Sequence, residues 1–217
     1  MSDLSCALKE TLVSVIKQCY QNNWSPATSG NYSCKASFNN KEDQIYLTPS
    51  GFHKGLLMPC DLITLNLQGE ILHLPQHEQK RYKTSAETQL HLQIYNAYPE
   101  SCCVLHIHSP YATLMSLLAS ENYVALQGLE LQKIFPQITT HESSLEIVVV
   151  PNHQNMEYLT QQLVPYLLHM KQIPAYLIKG HGLYTWANSI EQTFYQLEAL
   201  EAMFQLEYLQ QLTHRHK

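Results

Sequence analysis

The chain has 217 residues, a formal net charge of −5 with histidine neutral, and no large basic cluster, which argues against nucleic acid as a partner. That length predicts a single domain over 1–217 with a buried core, with two small domains as the alternative. Hydrophobic residues make up 45% of the chain and charged residues only 14%, a low charged fraction that is easier to tolerate if some surface is hidden between subunits. The first residues have neither a basic region nor a long apolar core, which predicts that they are not a signal peptide. No apolar run approaches the roughly 18 residues of a membrane span and the cysteines form no CxxC pair, so we expect a cytoplasmic protein with reduced thiols and no membrane partner.

The first half of the chain begins with a helix and continues with short strands. Apolar residues recur at helical spacing between Leu4 and Cys19, which predicts an amphipathic helix over 3–22. Pro26 and Gly30 then mark a loop. Strands are predicted over 32–37, 45–48 and 62–67, and their strand–turn–strand succession indicates antiparallel pairing.

The second half mixes helices and strands without regular βαβ alternation. Ser85 is a good N-cap for a helix over 86–97, and Pro110 suits the first turn of a helix over 110–119. Other predicted elements are the apolar strand at 102–105 that leads into His106, strands over 147–150 and 175–179, and helices over 154–169 and 189–213. The pattern predicts an α/β fold of the α+β-like kind, three-layered α/β/α, with a mixed, largely antiparallel central sheet flanked by helices.

Three histidines stand at the ends of apolar strands. Strand alternation puts His106 and His108 on the same face, with Ile107 pointing away. His181 follows the strand over 175–179, between two glycines. A lone buried histidine is more often a hydrogen-bonded core residue. Three neutral imidazoles that leave a fourth position open, however, are typical of a catalytic zinc site, although other divalent ions also suit them.

Several small polar turns have the composition of an anion site. Glycine lets backbone N–H groups approach a phosphate closely, and hydroxyl groups or a helix N-terminus add donors. Each turn alone is more often an ordinary turn or cap, so the phosphate hypothesis depends on their joint occurrence with a metal site. The candidates are Ser29, Gly30, Asn31, Thr48, Ser50, Gly51, Lys54, Thr84 and Ser85.

Two glutamates are candidates for moving protons. Glu87 lies in the first turn of the helix that follows Ser85, and Glu130 lies between the histidine-bearing strand and the strand over 147–150. Most glutamates are solvated surface groups, and a general base needs hydrogen-bond reach and a tuned pKa, neither of which a sequence displays. The residues alone therefore leave the choice between them open.

Taken together and in this order, five segments resemble the class II (zinc-dependent) aldolase family over residues from about 10 to 210. They are Ser29-Gly30-Asn31-Tyr32-Ser33, Leu47-Thr48-Pro49-Ser50-Gly51, Ser85-Ala86-Glu87-Thr88, His106-Ile107-His108-Ser109 and Gly180-His181-Gly182-Leu183-Tyr184. The resemblance implies a class II aldolase-like fold and a homo-oligomer, commonly a tetramer. It also implies one Zn²⁺ per subunit held by His106, His108 and His181, an acid/base at Glu130 with Glu87 ranked second, and a phosphate pocket drawn from the turns above.

Three further segments favour the branch of this family that dehydrates 5-methylthioribulose 1-phosphate in methionine salvage. They are 128–133, 140–142 with 148–152, and 181–186 with 197–201. Ala187 stands where the family usually has glycine, a departure that removes no reactive group. The alternatives are a class II sugar-phosphate aldolase, a pentulose-phosphate 4-epimerase, and a non-catalytic assembly module like the adducin head domain, which has no need of three metal-spaced histidines.

Overall fold

The computed structural model describes residues 3–37, 42–75 and 81–215. The helices are α1 Asp3–Gln21, α2 Thr88–Ala97, α3 Pro110–Leu118, α4 Met156–Leu163, α5 Leu167–Met170 and α6 Ile190–Arg215. The strands are β1 Asn31–Ala36, β2 Gln44–Leu47, β3 Ile63–Leu65, β4 Ile71–His73, β5 Cys103–Ile107, β6 Tyr123–Leu126, β7 Leu145–Val150, β8 Ala175–Ile178 and β9 Gly182–Ala187. The chain divides into two compact units. The first unit is Met1–Ile107 with Trp186–Thr193, and the second unit is His108–Thr185 with Phe194–Lys217.

The first unit is an antiparallel sheet covered by helices. Its strands pair in the order β4-β3-β2-β1-β5. Helix α1 packs on β1 through an apolar stripe that buries Leu12 and Ile16 completely. The register between β1 and β5 places Asn31 directly opposite His106.

The second unit combines antiparallel and parallel pairing. Strand β6 pairs with β7 and β8 with β9 antiparallel, while β7 and β8 run parallel. Helix α3 packs on β8 and α4 packs on β7. The predicted mixed, largely antiparallel arrangement with flanking helices is therefore confirmed.

One predicted helix start is wrong. Helix α2 begins at Thr88 with Glu87 as its N-cap, and not after Ser85. The Ser85 hydroxyl instead accepts a hydrogen bond from the Glu87 N–H at 3.2 Å, and the Ser85 carbonyl accepts one from the Thr88 N–H at 3.1 Å. These bonds close a turn over 85–88, so the helix begins two residues later than predicted.

The helix predicted over 154–169 is interrupted. Helix α4 ends at Leu163, a 3₁₀ turn spans Val164–Tyr166, and α5 covers Leu167–Met170. Pro165 has no N–H to continue the α-helical ladder and its ring crowds the preceding turn, which accounts for the break.

Three strands were not predicted. Strands β4 and β6 are short, and β9 follows closely on the Gly180 turn, so none has a long alternating pattern of its own. Pairing with a neighbouring strand stabilises each of them. Among the described helices, none combines the length and the apolar character needed to cross a membrane.

Candidate metal centre

In the first unit, a histidine and a carboxylate lie side by side. His106 sits near the end of β5 and is completely buried. Its Nε2 lies 3.5 Å from Oε2 of Glu87, whose side chain is mostly buried. Glu87 precedes α2, so the turn over 85–88 delivers its carboxylate to β5. Imidazole nitrogen and carboxylate oxygen are both metal ligands of the kind that zinc takes.

Behind this pair lies a chain of buried hydrogen bonds. The Asn31 side-chain amide donates to Glu87 Oε2, and its carbonyl oxygen bonds His91 Nε2. His91 Nδ1 bonds the Ser33 hydroxyl at 2.7 Å, which in turn bonds the Tyr95 hydroxyl at 2.8 Å. The Glu87 carboxylate is thus held from the β1 and α2 sides as well as facing His106.

In the second unit, two imidazoles converge. His108 Nε2 and His181 Nε2 are 3.1 Å apart, and the rings meet edge to face with their centroids 4.5 Å apart. Both side chains are partly exposed. Two ring nitrogens that point at each other from partly exposed positions have the geometry of two ligands aimed at a common point.

Helix α3 holds both of these histidines in place. Ser109, directly after His108, caps α3 by accepting a hydrogen bond from the Ala112 N–H at 3.2 Å. Thr113 Oγ1 donates to the His181 carbonyl at 3.1 Å, and Ser116 Oγ accepts from the Gly180 N–H at 2.9 Å. One short helix therefore forms hydrogen bonds to the turn that contains His181, and its N-cap is the residue that follows His108.

The donor set fits a metal ion. All three imidazoles use Nε2 in these contacts. Glu87 and His106 in the first unit, and His108 and His181 in the second, are side chains of the kinds that can hold an ion. Imidazole nitrogen and carboxylate oxygen both suit Zn²⁺ and related divalent ions.

The predicted phosphate candidates all lie in the first unit, and several of their polar atoms bond within the fold. Ser29 Oγ donates to the Pro26 carbonyl at 2.7 Å. Thr48 Oγ1 is buried and accepts from the Tyr32 N–H at 3.0 Å, and the Ser50 N–H donates to the Lys83 carbonyl at 2.9 Å. These contacts shape the turns and leave fewer donors for an anion than the sequence suggested.

Lys54 is a buried cation among these turns. It is 1% exposed, and its Nζ donates to the carbonyls of Thr28 at 2.9 Å and Phe52 at 3.0 Å. Burial lowers the pKa of Lys54 to about 8, against the opposing effect of the Glu87 charge. The group still carries positive charge at neutral pH. Thr84 and Ser85 are half-buried, while Gly51 is exposed with a φ of +77°.

Glu130 lies in a different setting from Glu87. It begins a 3₁₀ helix, Glu130–Ile134, and its side chain is 69% exposed. Its carboxylate forms ion pairs with Lys133 Nζ at 2.6 Å and His141 Nδ1 at 3.1 Å. The hydrogen bond from Lys133 lowers the pKa of Glu130. The structure therefore brings Glu87 to a histidine ligand candidate, and Glu130 to Lys133 and His141.

Sequence reasoning missed His91. It is completely buried in α2 and lies four residues after Glu87, so both side chains project from the same helical face. That spacing is a signal that a search for polar pairs along helices would have found. Burial lowers the pKa of His91 to about 4, so the ring is neutral at physiological pH.

The fold and the clustered imidazoles agree with a comparison against known families. The family model described as class II aldolase and adducin N-terminal domain matches residues 10–208, and this chain belongs to that family. Members of this family are typically metal-dependent, in keeping with the imidazole and carboxylate donors described above.

Individual relatives carry the name of one enzyme within this family. A protein from Pseudomonas aeruginosa named methylthioribulose-1-phosphate dehydratase is 38% identical over 95% of this chain and 96% of its own length. One of the same name from Marinobacter nauticus is 37% identical over 91% of both chains. Among solved structures, L-fuculose-1-phosphate aldolase from Thermus thermophilus superposes with a TM-score of 0.74 at 19% identity, covering 97% of this chain and 98% of that one.

Proposed function

We propose that this protein is a methylthioribulose-1-phosphate dehydratase, a zinc-dependent hydro-lyase of methionine salvage. It removes water from 5-methylthioribulose 1-phosphate and gives 5-methylthio-2,3-dioxopentyl phosphate. The observation that carries the proposal is the 38% identity to enzymes of that name over nearly the whole chain. A cytoplasmic homotetramer with one Zn²⁺ per subunit completes the proposal.

His106, His108 and His181 are the proposed zinc ligands. Three observations support this assignment. All three rings use Nε2 in their contacts, the Nε2 atoms of His108 and His181 lie 3.1 Å apart, and the Glu87 carboxylate faces His106. When bound, zinc supplies a Lewis acid that stabilises negative charge developing on the carbonyl side of the substrate. Three protein ligands would leave a fourth position on the ion open to a ketose.

Proton transfer needs a carboxylate. Dehydration removes the C3 proton and expels the C4 hydroxyl as water, and ketonisation of the resulting enol gives the diketone. We assign the acid/base role to Glu130, on the family resemblance and on its exposed carboxylate. Glu87 ranks second for that role, and its position beside His106 supports a part in metal binding.

The phosphate end of the substrate needs donors and positive charge. We place it at the turns that contain Ser29, Gly30 and Asn31, Thr48, Ser50 and Gly51, and Thr84 and Ser85. The support is Lys54, a buried cation in the same unit, together with the open space beside Gly51. A dianion near a lysine that is charged at neutral pH is favoured electrostatically.

The proposal is tested by metal analysis and a substrate panel on the purified full chain. We expect about one divalent ion per subunit and release of water from 5-methylthioribulose 1-phosphate, with no cleavage of fuculose or rhamnulose 1-phosphate. Retro-aldol fragments would point to an aldolase, and a C4 epimer would point to an epimerase. Active protein without a bound divalent ion would overturn the metal assignment.

Single substitutions separate the roles of the two glutamates. Glu130→Gln should retain metal and lose at least about 10²-fold in kcat, because a general acid/base contributes that much or more. Glu87→Gln should weaken metal binding. Glu142→Gln changes an exposed carboxylate next to His141 and is the matched control, expected to keep both properties. Full turnover in metal-loaded Glu130→Gln would remove Glu130 from the reaction.

A further inference from the structure

We propose that His91 is a positioning residue that acts through Asn31 to fix the Glu87 carboxylate beside His106, and thereby sets the affinity of the site for its metal ion. This inference rests on the proposed metal site. It concerns a side chain that is completely buried and four residues after Glu87 in the chain.

The contacts form an unbroken path within the first unit. His91 Nε2 bonds the side-chain carbonyl oxygen of Asn31, Oδ1, and the side-chain amide nitrogen of Asn31, Nδ2, bonds Glu87 Oε2. The same carboxylate oxygen lies 3.5 Å from His106 Nε2. Asn31 is 6% exposed and stands opposite His106 in the β1–β5 register, so water has little access to this path.

The direction of each hydrogen bond follows from the chemistry of the groups. A carboxylate only accepts, so Asn31 must present its amide to Glu87 and its carbonyl oxygen to His91. His91 must then donate through Nε2–H, which leaves Nδ1 as an acceptor for the Ser33 hydroxyl. Ser33 Oγ in turn accepts from the Tyr95 hydroxyl at 2.8 Å. These four hydrogen bonds therefore have one consistent assignment of donors and acceptors.

A neutral His91 is required for this assignment, and its burial provides it. Burial lowers the pKa of His91 to about 4, with the Glu87 charge opposing the shift. The fixed tautomer locks the Asn31 amide, and the locked amide gives Glu87 one oriented donor. Partners behind metal ligands orient them in this way, and their removal typically weakens metal binding by about 10- to 100-fold.

The test uses cobalt as a spectroscopic probe and needs no substrate. Co²⁺ is titrated into wild-type protein and variants, and its visible absorption and chelator-competition affinity are measured. His91→Leu should weaken Co²⁺ binding by about 10- to 100-fold and alter the absorption of the bound ion. His91→Gln, which retains an amide N–H donor, should recover most of the affinity.

Tyr95→Phe is the matched control. Tyr95 is on the same helix, is also buried and also bonds Ser33, but its hydroxyl lies at the far end of the path from Glu87. Its loss should lower the free energy of unfolding and leave the cobalt spectrum and affinity unchanged. An equal effect of Tyr95→Phe and His91→Leu on cobalt affinity would reduce His91 to a general structural role and overturn the inference.

A double-mutant cycle tests whether His91 acts through Glu87. In a Glu87→Gln background, His91→Leu should change cobalt affinity by less than about threefold, because the group that it positions is already altered. If His91→Leu weakens cobalt binding as much in the Glu87→Gln background as in the wild-type background, the proposed path is contradicted. If wild-type protein binds no cobalt, the metal site and the inference both fail. If it binds cobalt but does not dehydrate the substrate, only the proposed function fails.

Discussion

At the scale of single residues, Gly30 shows how tightly the backbone packs around a candidate metal ligand. Its φ is +76°, and a Cβ built on it would lie 2.7 Å from the His106 carbonyl oxygen and 2.7 Å from Ser25 Oγ. Real Cβ atoms do not come that close to other atoms. The sequence predicted that this glycine contributes to a phosphate site. The structure shows that it also allows the backbone to approach β5 closely, at the His106 carbonyl.

Replacing Gly30 should therefore cost more than a positive φ alone. Gly51→Ala is the control, because Gly51 has a φ of +77° and no atom within 4 Å of its built Cβ. We expect about 1 kcal/mol of destabilisation for Gly51→Ala and a further 1–3 kcal/mol, roughly, for Gly30→Ala. Urea unfolding of both variants measures the difference, and equal losses would contradict the steric argument.

The histidines show what a sequence can and cannot tell at this scale. Strand periodicity and the Gly-His-Gly turn singled out His106, His108 and His181, because those signals lie within a few neighbouring residues. Their assignment as ligands stays a prediction. The partner of Glu87 was not predictable, since His106 is 19 positions away and only the β5 and α2 packing brings the two together.

At the scale of elements, helix α3 of the second unit positions two of the candidate ligands, His108 and His181. It starts two residues after His108 and carries Thr113 and Ser116, whose hydroxyls bond the turn at Gly180 and His181. The sequence predicted this helix almost to its boundaries from Pro110 onward. Its hydrogen bonds to a turn about 65 residues later depend on its packing against β8.

Ser116→Ala should loosen that turn. The substitution removes the acceptor of the Gly180 N–H, and Ser116 is completely buried, so the loss should be about 1–3 kcal/mol in the free energy of unfolding. A several-fold weaker zinc affinity should accompany it, because His181 is the next residue. Urea unfolding and chelator competition measure the two effects. Thr11→Val, which removes a hydroxyl bonded to Ala7 one turn earlier in α1, should leave zinc affinity unchanged.

Element boundaries were least predictable where local chemistry allows two outcomes. Ser85 can cap a helix or close a turn, and the structure takes the turn, which places Glu87 at the N-cap of α2. Pro165 splits a long amphipathic pattern into α4 and α5. In both cases a single residue with strong local preferences overrides a periodic pattern, and tertiary packing decides which preference is satisfied.

At the scale of the whole molecule, folding buries a carboxyl group that carries its own pH dependence. Glu201 in α6 is 4% exposed, accepts a hydrogen bond from Ser109, and its Oε2 has no hydrogen-bond partner among the described residues. Burial raises the pKa of Glu201 to about 7, above its ordinary value of 4.5. Between those pH values the folded state binds a proton that the unfolded state has lost.

Stability should consequently fall as the pH rises from 4.5 through 7. Glu201→Gln removes this ionisation and preserves an acceptor for Ser109. Relative to wild type, it should gain up to about 3 kcal/mol between pH 5 and pH 8. Glu198→Gln, an exposed glutamate on the same helix, should show no such gain. Unfolding free energies at the two pH values decide the matter, and a pH-independent difference for Glu201→Gln would contradict it.

The amino-acid sequence by itself determined the fold class, the main helices and strands, the family and the three strand-end histidines, because periodicity, turn residues and short motifs are properties of neighbouring residues. The single domain over 1–217 stays a prediction beside the two compact units of the structure. Only the tertiary structure decided that Glu87 faces His106, that Asn31 joins it to His91, and that Glu130 pairs with Lys133 and His141. Apart from the Glu130–Lys133 pair, those contacts join groups 11 to 60 residues apart, and strand register, helix packing and burial bring them together.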